Sequence, residues 1–317
     1  MNKPILTIGM ACYDDFDGVY FTTQAIRLYH PDVTFDTEII VVDNNPDSPT
    51  SDALKELEKW VPGFRYIADG SITGTAIRDR IFFYADSPYV MVMDCHVMVV
   101  AGAIRRLIDY FSWNPGSRDL LQGPMLSDDI DQVQTHWTPH WESGMYGHWA
   151  IDERGQNPNA APFDIPFQGL GLFACSKDAW PGFNPHFRGF GGEEGYIHAK
   201  VRQAGSRTLC LPFLRWLHRF GRPNGVPYPN KFEDRLHNYL TGWLELGWDI
   251  GPVKEHFATF LDPSVVDAIT WSALAKRSPG PLMPYYRGQT AATSKETEAM
   301  GVGGPGRETV RSHNQNG

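Results

Sequence analysis

An α/β fold with a mostly parallel sheet flanked by helices is predicted for this 317-residue chain by three observations. Short apolar runs alternate with helix-like stretches over residues 5–94, the order that a parallel sheet requires. Those runs are apolar at consecutive positions, as in strands buried on both faces. Two of them stop abruptly at an acid, Ile39-Ile-Val-Val-Asp43 and Val90-Met-Val-Met-Asp94. Polar groups therefore gather at the strands' carboxyl ends, where α/β sheets bind their ligands.

In chain order, Ile5–Ala11 reads as a strand, Cys12–Gly18 as a loop, and the stretch through Tyr29 as a helix. Glu38–Val42 is a second strand, ending at Asp43. Ser51–Trp60 is amphipathic with helical spacing and a Ser or Asp cap. Phe64–Ala68 is a short strand, Gly74–Ala85 a helix, and Tyr89–Met93 the strand that delivers Asp94. After Leu121 the character changes. Residues 136–149 read HWTPHWESGMYGHW, broken by Pro139 and two glycines, which predicts a shaped loop rather than a regular element. Pro166–Cys175 is strand-like, Glu194–Gln203 helical, Leu209–Trp216 strand-like and Lys231–Leu246 helical. Gln289–Gly317 is rich in Gly, Ser, Thr and charge, a composition that predicts a disordered tail. The expected organisation is a single catalytic domain in two halves, 1–125 and 126–285, followed by a tail over 286–317.

Composition narrows the class. Hydrophobic residues at 42% and charged residues at 21% are those of an ordinary globular protein. A formal charge of -9 argues against a broad nucleic-acid-binding surface, which needs clustered Lys and Arg. Aromatics reach 13% with ten Trp, and aromatic faces serve sugar or base stacking as well as core packing. Cys12, Cys95, Cys175 and Cys210 are dispersed with no C-x-x-C pair, as in the reduced core of a cytoplasmic protein. Met1-Asn-Lys-Pro leads straight into a strand, with no signal peptide expected, and no apolar run approaches the roughly 20 residues that span a bilayer.

Three segments carry chemistry. In Asp94-Cys95-His96 alternate side chains share a face of an extended segment, so an oxygen and a nitrogen ligand point together. That pair at a strand's end suits a divalent cation such as Mn²⁺. Gly189-Phe-Gly-Gly-Glu193-Glu194-Gly195 places two acids after permissive glycines at a helix start, where a carboxylate can serve as a base toward a hydroxyl. Leu217-His218-Arg219-Phe-Gly-Arg222-Pro-Asn224 follows a strand-like run, so His218 can complete a metal site begun by Asp94 and His96. His136 and His140 invite a zinc reading, but Pro139 disrupts the helix that would align them. The histidines and tryptophans of this segment would also suit a lid over a bound donor.

These segments, in this order, resemble the nucleotide-sugar-dependent glycosyltransferases of the GT-A (Rossmann-like) fold, family 2 and its relatives. Residues 167–230 are particularly similar to β-1,4-galactosyltransferases and polypeptide N-acetylgalactosaminyltransferases, through Phe167–Phe183, Gly189–Glu194, His218-Arg219, Asn224 and Pro229-Asn230. The resemblance implies that Asp94 and His96 form an Asp-x-His motif for metal and donor diphosphate, with His218 as the third ligand. It implies that Asp43 contacts the nucleoside, that Ala11 and Tyr13 line the same pocket, and that Arg78, Gly192 and Arg219 belong to the donor site. Arg222 offers a further contact to the diphosphate. Glu194 corresponds to the catalytic carboxylate of inverting members, and Glu193 to the preceding acid that binds sugar hydroxyls. Glu194 stands where Asp is usual and Gly195 replaces a frequent acid, so the division of roles between the two acids stays open.

The expected activity is metal-dependent transfer of a sugar, from a UDP-sugar first, to an acceptor hydroxyl, with inversion favoured by the two acids and retention still open. Mn²⁺ is the expected cofactor, with Mg²⁺ second. The acceptor is not specified: a glycan, a protein side chain and a hydroxylated DNA base all remain compatible. A nucleotidyltransferase and a non-catalytic sugar- or nucleotide-binding module are the rival readings. The first is disfavoured because Met10–Asp17 lacks a Gly-rich basic loop, the second because metal ligands and acids occur together.

Overall fold

The computed structural model describes residues 3–222 and 225–276. Strands β1 (Leu6–Cys12), β2 (Thr37–Asp43), β3 (Phe64–Ala68) and β4 (Tyr89–Asp94) lie parallel in the order β3-β2-β1-β4. Crossovers carry α1 (Phe16–Tyr29), α2 (Ser51–Glu56) and α3 (Arg78–Tyr84). The register sets Cys12 opposite Asp43 and Ala11 opposite Asp94, so the polar ends of three adjacent strands share one edge. Residues 39–42 and 90–93 are buried throughout, as two-sided coverage by helices demands.

The chain then leaves this sheet. A turn at Cys95-His96 leads into β5 (Val97–Val99), followed by α4 (Ala103–Trp113), which the sequence reading did not assign. Its Ala103, Ile104, Leu107, Ile108 and Phe111 form one buried face at helical spacing. Next come β6 (Leu120–Gln122), β7 (Met125–Leu126), β8 (Val133–Gln134), β9 (His136–Glu142), β10 (Met145–Ala150), β11 (Phe163–Asp164), β12 (Leu172–Ser176), β13 (Thr208–Cys210) and β14 (Trp216–His218). The main sheet has eight strands in the order β11-β13-β6-β12-β4-β1-β2-β3; only β12 and β11 run against the rest. A smaller sheet, β5-β14-β7-β8, stands beside the end of β4. Helices α5 (Tyr196–Gln203), α6 (Phe232–Leu246), α7 (Gly251–Phe257) and α8 (Pro263–Ala275) complete the described chain.

Several expectations change, and Pro166–Cys175 is a strand only from Leu172, as β12. Residues 136–149 form a β-hairpin, not an irregular loop. Ser143 and Gly144, at φ 49° and 74°, make the two-residue turn that matches strand twist. Pro139 is tolerated because Pro139 and His140 lie opposite Gly147 in a bulge, where no ladder donor is needed. Leu209–Trp216 is two short strands in different sheets, divided by a turn at 212–213 that begins at Pro212. The helix expected over Ser51–Trp60 is α2 continued by a 3₁₀ turn, and its N-cap, Thr50, makes no capping bond.

One core layer joins β1 and β4 to α1, α2 and α4, and a second joins the opposite sheet face to α3 and α5. A third lies among α6, α7 and α8 and receives Trp141 and Tyr146 from the hairpin. All four cysteines are free and buried. Among the described residues no helix is long and apolar enough to cross a membrane. The expected tail over 286–317 and Asn224 lie outside the described residues.

Candidate active site

Asp94 ends β4, and the two-residue turn after it sends the chain into the smaller sheet. There β5 pairs antiparallel with β14, setting Val97 opposite His218. Pairing of the segment just after His96 with the strand that ends at His218 is what joins these distant residues. Thr22 on α1 fixes the turn, its hydroxyl donating to the carbonyls of Cys95 (2.9 Å) and Val97 (3.1 Å). One ligand atom from each of Asp94, His96 and His218 lies within 4.8 Å of the others. The two imidazole Nε2 atoms face each other at 3.2 Å, and His218 Nε2 is 3.5 Å from Asp94 Oδ2. These separations are close to the roughly 3 Å edge between neighbouring ligands of an octahedral ion with bonds near 2.1 Å. The expected convergence of Asp94 and His96 is thus present, through a turn rather than a continued strand.

The surroundings favour an ionised Asp94. Burial alone would raise its pKa, but Arg78, then His218 and His96, outweigh that and hold it well below the usual carboxylate range. Arg78 Nη2 donates to Asp94 Oδ1 at 2.9 Å, and Arg78 Nη1 to Thr75 Oγ1 at 2.7 Å. Burial moves the His96 imidazole in the neutral direction despite Asp15, and a neutral ring is the form that ligates metal.

The glycine-rich turn is attached to this corner by backbone. Gly74 and Gly189 form a parallel bridge, with Thr75 N–H donating to Gly189 O at 3.0 Å. Gly74 has φ 96°, and a Cβ there would sit 1.8 Å from Gly189 O, so only glycine allows the approach. The contact brings Glu193 Oε1 to 3.9 Å from Arg78 Nη1. Glu193 is 5% exposed and its Oε2 has no hydrogen-bond partner. Glu194 turns the other way. Its Oε2 accepts from the Tyr239 hydroxyl at 2.6 Å and from Gly192 N–H at 3.0 Å, beneath α6. Burial first, then the charge of Glu193, push the Glu194 carboxyl up to about 7. Gly192 has φ 84° and backs against Asn238 and Arg235 of α6.

The remaining expected residues are distributed as follows. Ala11 is half-buried in β1, opposite Asp94. Tyr13 stands beyond that strand, its ring 6.3 Å from Tyr228. Asp43 is fully buried. Its Oδ2 accepts from the hydroxyls of Ser51 and Tyr66, both at 2.8 Å, and its Oδ1 from Asn45 N–H at 3.0 Å. A nucleoside contact through Asp43 would share oxygens that already shape the loop after β2. Arg219 is exposed, with Nη2 3.3 Å from both oxygens of Asp15, and Arg222 Nη2 is 2.7 Å from His96 Nε2. His136 and His140 lie on the hairpin, in neither cluster of potential metal ligands among the described residues.

Two residues beside the site escaped the sequence reading. Asp15 caps α1, accepting from Gly18 N–H at 3.0 Å, and its Oδ2 lies 3.0 Å from His96 Nδ1. An acid just ahead of a helix after the first strand was the available signal. Tyr228 is half-buried between Tyr13 and Phe190, 4.9 Å from the latter ring, and no local pattern marked it.

The family described as glycosyl transferase family 2 matches residues 7–179, more than half of the chain. No curated protein matches the chain by sequence. Among solved structures, GalNAc-T7 with UDP, GalNAc and Mn²⁺ superimposes with a TM-score of 0.61 at 14% identity, over 85% of this chain and 55% of that one. The chain thus spans about half the length of that protein, and at this identity the likeness concerns the fold alone, which is of the GT-A type. Looser overlaps, each with a TM-score of 0.47, are found with the mannosyltransferase PcManGT from Pyrobaculum calidifontis in complex with GDP-Man and Mn²⁺, and with S. aureus TarS. The first is 12% identical over 95% of this chain and 81% of that one; the second is 10% identical over 85% and 70%.

Proposed function

The chain belongs to glycosyl transferase family 2, and from that premise we propose a metal-dependent transfer of sugar from a nucleotide donor, a UDP-sugar first, to an acceptor hydroxyl. The observation that carries this reading is the convergence of Asp94, His96 and His218 beside the ends of the parallel strands. Two imidazoles with one carboxylate favour Mn²⁺ over Mg²⁺, which prefers oxygen ligands and water. A divalent cation bound there neutralises the charge that develops on the departing nucleoside diphosphate. Family membership selects the glycosyltransferase among the three readings compatible with the sequence.

The chain's own residues supply the rest. Arg78 orients Asp94 and keeps it ionised, while Arg219 and Arg222 bring positive charge to the rim where a diphosphate would lie. Asp15 faces His96 Nδ1, and a proton on that nitrogen leaves Nε2 free to ligate. Ala11, Tyr13 and the loop shaped by Asp43 are assigned to the nucleoside side, and Gly192 to the sugar side. Residues 1–125 form the donor half and 126–285 the acceptor half in this reading.

For the base that receives the acceptor's proton we assign Glu193 rather than Glu194. A buried carboxylate oxygen with no partner, one guanidinium away from Asp94, is costly unless a ligand uses it. Glu194 is engaged by Tyr239 and Gly192 and acts as the structural member of the pair. A base facing the acceptor supports an inverting outcome.

The test is release of nucleoside diphosphate from a panel of UDP- and GDP-sugars with and without Mn²⁺. The expected result is turnover of at least one UDP-sugar that chelator abolishes. Turnover indifferent to chelator would overturn the metal site, and turnover of GDP-sugars alone would replace the uridine assignment.

A further inference from the structure

The ring of His96 presents its two nitrogens to two different groups of ligand atoms. Nε2 faces His218 Nε2 at 3.2 Å, whereas Nδ1 faces Asp15 and Cys95. On the Nδ1 side, His96 Nδ1 is 3.0 Å from Asp15 Oδ2, Cys95 Sγ is 3.5 Å from that oxygen, and Cys95 Sγ is 3.6 Å from Nδ1. A tetrahedral ion with bonds of about 2.3 Å to sulfur and about 2.0–2.1 Å to nitrogen and oxygen has ligand edges of roughly 3.3–3.6 Å. The triangle is therefore close to the size of a zinc site. Thiolate, imidazole and carboxylate together suit a borderline-soft ion, not the harder Mn²⁺.

We propose that Asp15, Cys95 and the Nδ1 of His96 form a second cation site, selective for Zn²⁺ and its softer relatives, whose occupation excludes an ion from Asp94, His96 and His218. The first clause stands on these distances alone; the exclusion rests on the metal-dependent transfer proposed above.

The geometry is held from outside the triangle. Asp15 Oδ1 accepts from Gly18 N–H, which leaves Oδ2 directed at Cys95 and His96, and Arg219 balances the carboxylate charge. Thr22 holds the Cys95 carbonyl and so fixes the direction of its side chain. The Cys95 thiol itself is buried, 4% exposed. A soft cation deprotonates such a thiol outright on coordination. The proton balance gives the exclusion. Binding releases the Cys95 proton to solvent and moves the imidazole proton from Nδ1 to Nε2. Nε2 then carries N–H and has no lone pair for a cation beside His218. With the proton on Nδ1, directed at Asp15, Nε2 is the ligand instead. Arg222, across both nitrogens at 3.2 and 2.7 Å, must swing aside for either ion.

The full-length protein is titrated with Cd²⁺, whose thiolate complexes absorb in the near ultraviolet. A single equivalent is expected to produce the charge-transfer band in the wild type and in Cys12→Ser, but not in Cys95→Ser or Cys95→Ala. Asp94→Asn is expected to keep the band, which separates this site from the transfer site. In Mn²⁺-supported turnover, Zn²⁺ is expected to inhibit in competition with Mn²⁺, and Cys95→Ser to raise the inhibitory concentration by about tenfold or more. No band in the wild type, or a band that persists without Cys95, overturns the site. A band lost in Asp94→Asn overturns its independence. Equal zinc inhibition in wild type and Cys95→Ser overturns the exclusion. If no sugar donor is turned over, the Cd²⁺ titration still decides the first clause by itself.

Discussion

The corner around Asp94 and the turn around Glu194 both draw a carboxylate out of bulk water, half-buried in the first and buried in the second, yet they treat its charge in opposite ways. At Asp94, Arg78 and two histidines outweigh burial, so the carboxylate stays charged at any physiological pH. At Glu194, burial is reinforced by the neighbouring Glu193 and only partly offset by Tyr239, so the carboxyl is driven up to about 7. A permanently charged oxygen surrounded by nitrogen ligands is equipped to hold a cation. A carboxyl that resists ionisation, tied to a hydroxyl and an amide, is equipped to hold a turn. Between them lies Glu193, beside Arg78 and short of a hydrogen-bond partner.

The largest expected effect is at the charged corner. Asp94→Asn and His218→Ala are each expected to lower metal-supported turnover by about 1000-fold or more, with the thermal transition little changed. Asparagine is the sharper substitution. Alanine would also strip Arg78, 6% exposed, of its main partner and leave that guanidinium uncompensated. Turnover of Asp94→Asn near the wild-type rate would remove the corner from the chemistry.

Next, Glu193→Gln is expected to reduce transfer about 100-fold at saturating donor, whereas Glu194→Gln stays within about tenfold of wild type. The reverse order in steady-state rates would return the base to Glu194.

Gly192→Ala probes the link between the turn and α6. A Cβ there would lie 2.6 Å from Asn238 Cβ and 2.8 Å from Arg235 O, on a backbone at φ 84°. Urea unfolding is expected to register a loss of about 2 kcal/mol or more. A neutral result would mean that the turn is not set by the helix behind it.

Glu194 also carries a pH signature. Its folded pKa, about 7, lies above the ordinary 4.5, so its contribution to stability is full below about 4.5 and is lost as pH rises through 7. Glu194→Gln stays neutral and still accepts from Tyr239. Relative to wild type it is expected to gain on the order of 1–3 kcal/mol between pH 5 and pH 8, measured by denaturant unfolding. Parallel stability curves for the two proteins would refute the raised pKa.

The smallest effect is expected at Arg219, which is exposed and touches Asp15 at 3.3 Å. Arg219→Ala should weaken nucleotide-sugar binding by about tenfold or less, with the loss shrinking at high salt. A salt-independent loss would place the guanidinium deeper in the donor site than its exposure indicates.

Sequence alone determined the parallel-sheet core and where its polar edge falls, because short uninterrupted apolar runs such as Ile39–Val42 and Val90–Met93, alternating with helix-like stretches, are those of strands covered on both faces. It also marked Asp94, His96 and His218, since ligand-type side chains at strand ends follow from local pattern. The hairpin at 136–149 was present in the Ser143-Gly144 turn, but Pro139 and the unseen bulge hid it. Only the tertiary structure decided the rest. His96 and His218 meet because β5 pairs with β14, a contact between segments more than a hundred residues apart. Glu193 and Glu194 are adjacent, chemically alike and indistinguishable by pattern. What separates them is Tyr239 and Asn238 of α6 on one side and Arg78 on the other, and the packing of a helix some 45 residues downstream determines which acid is drawn beneath it.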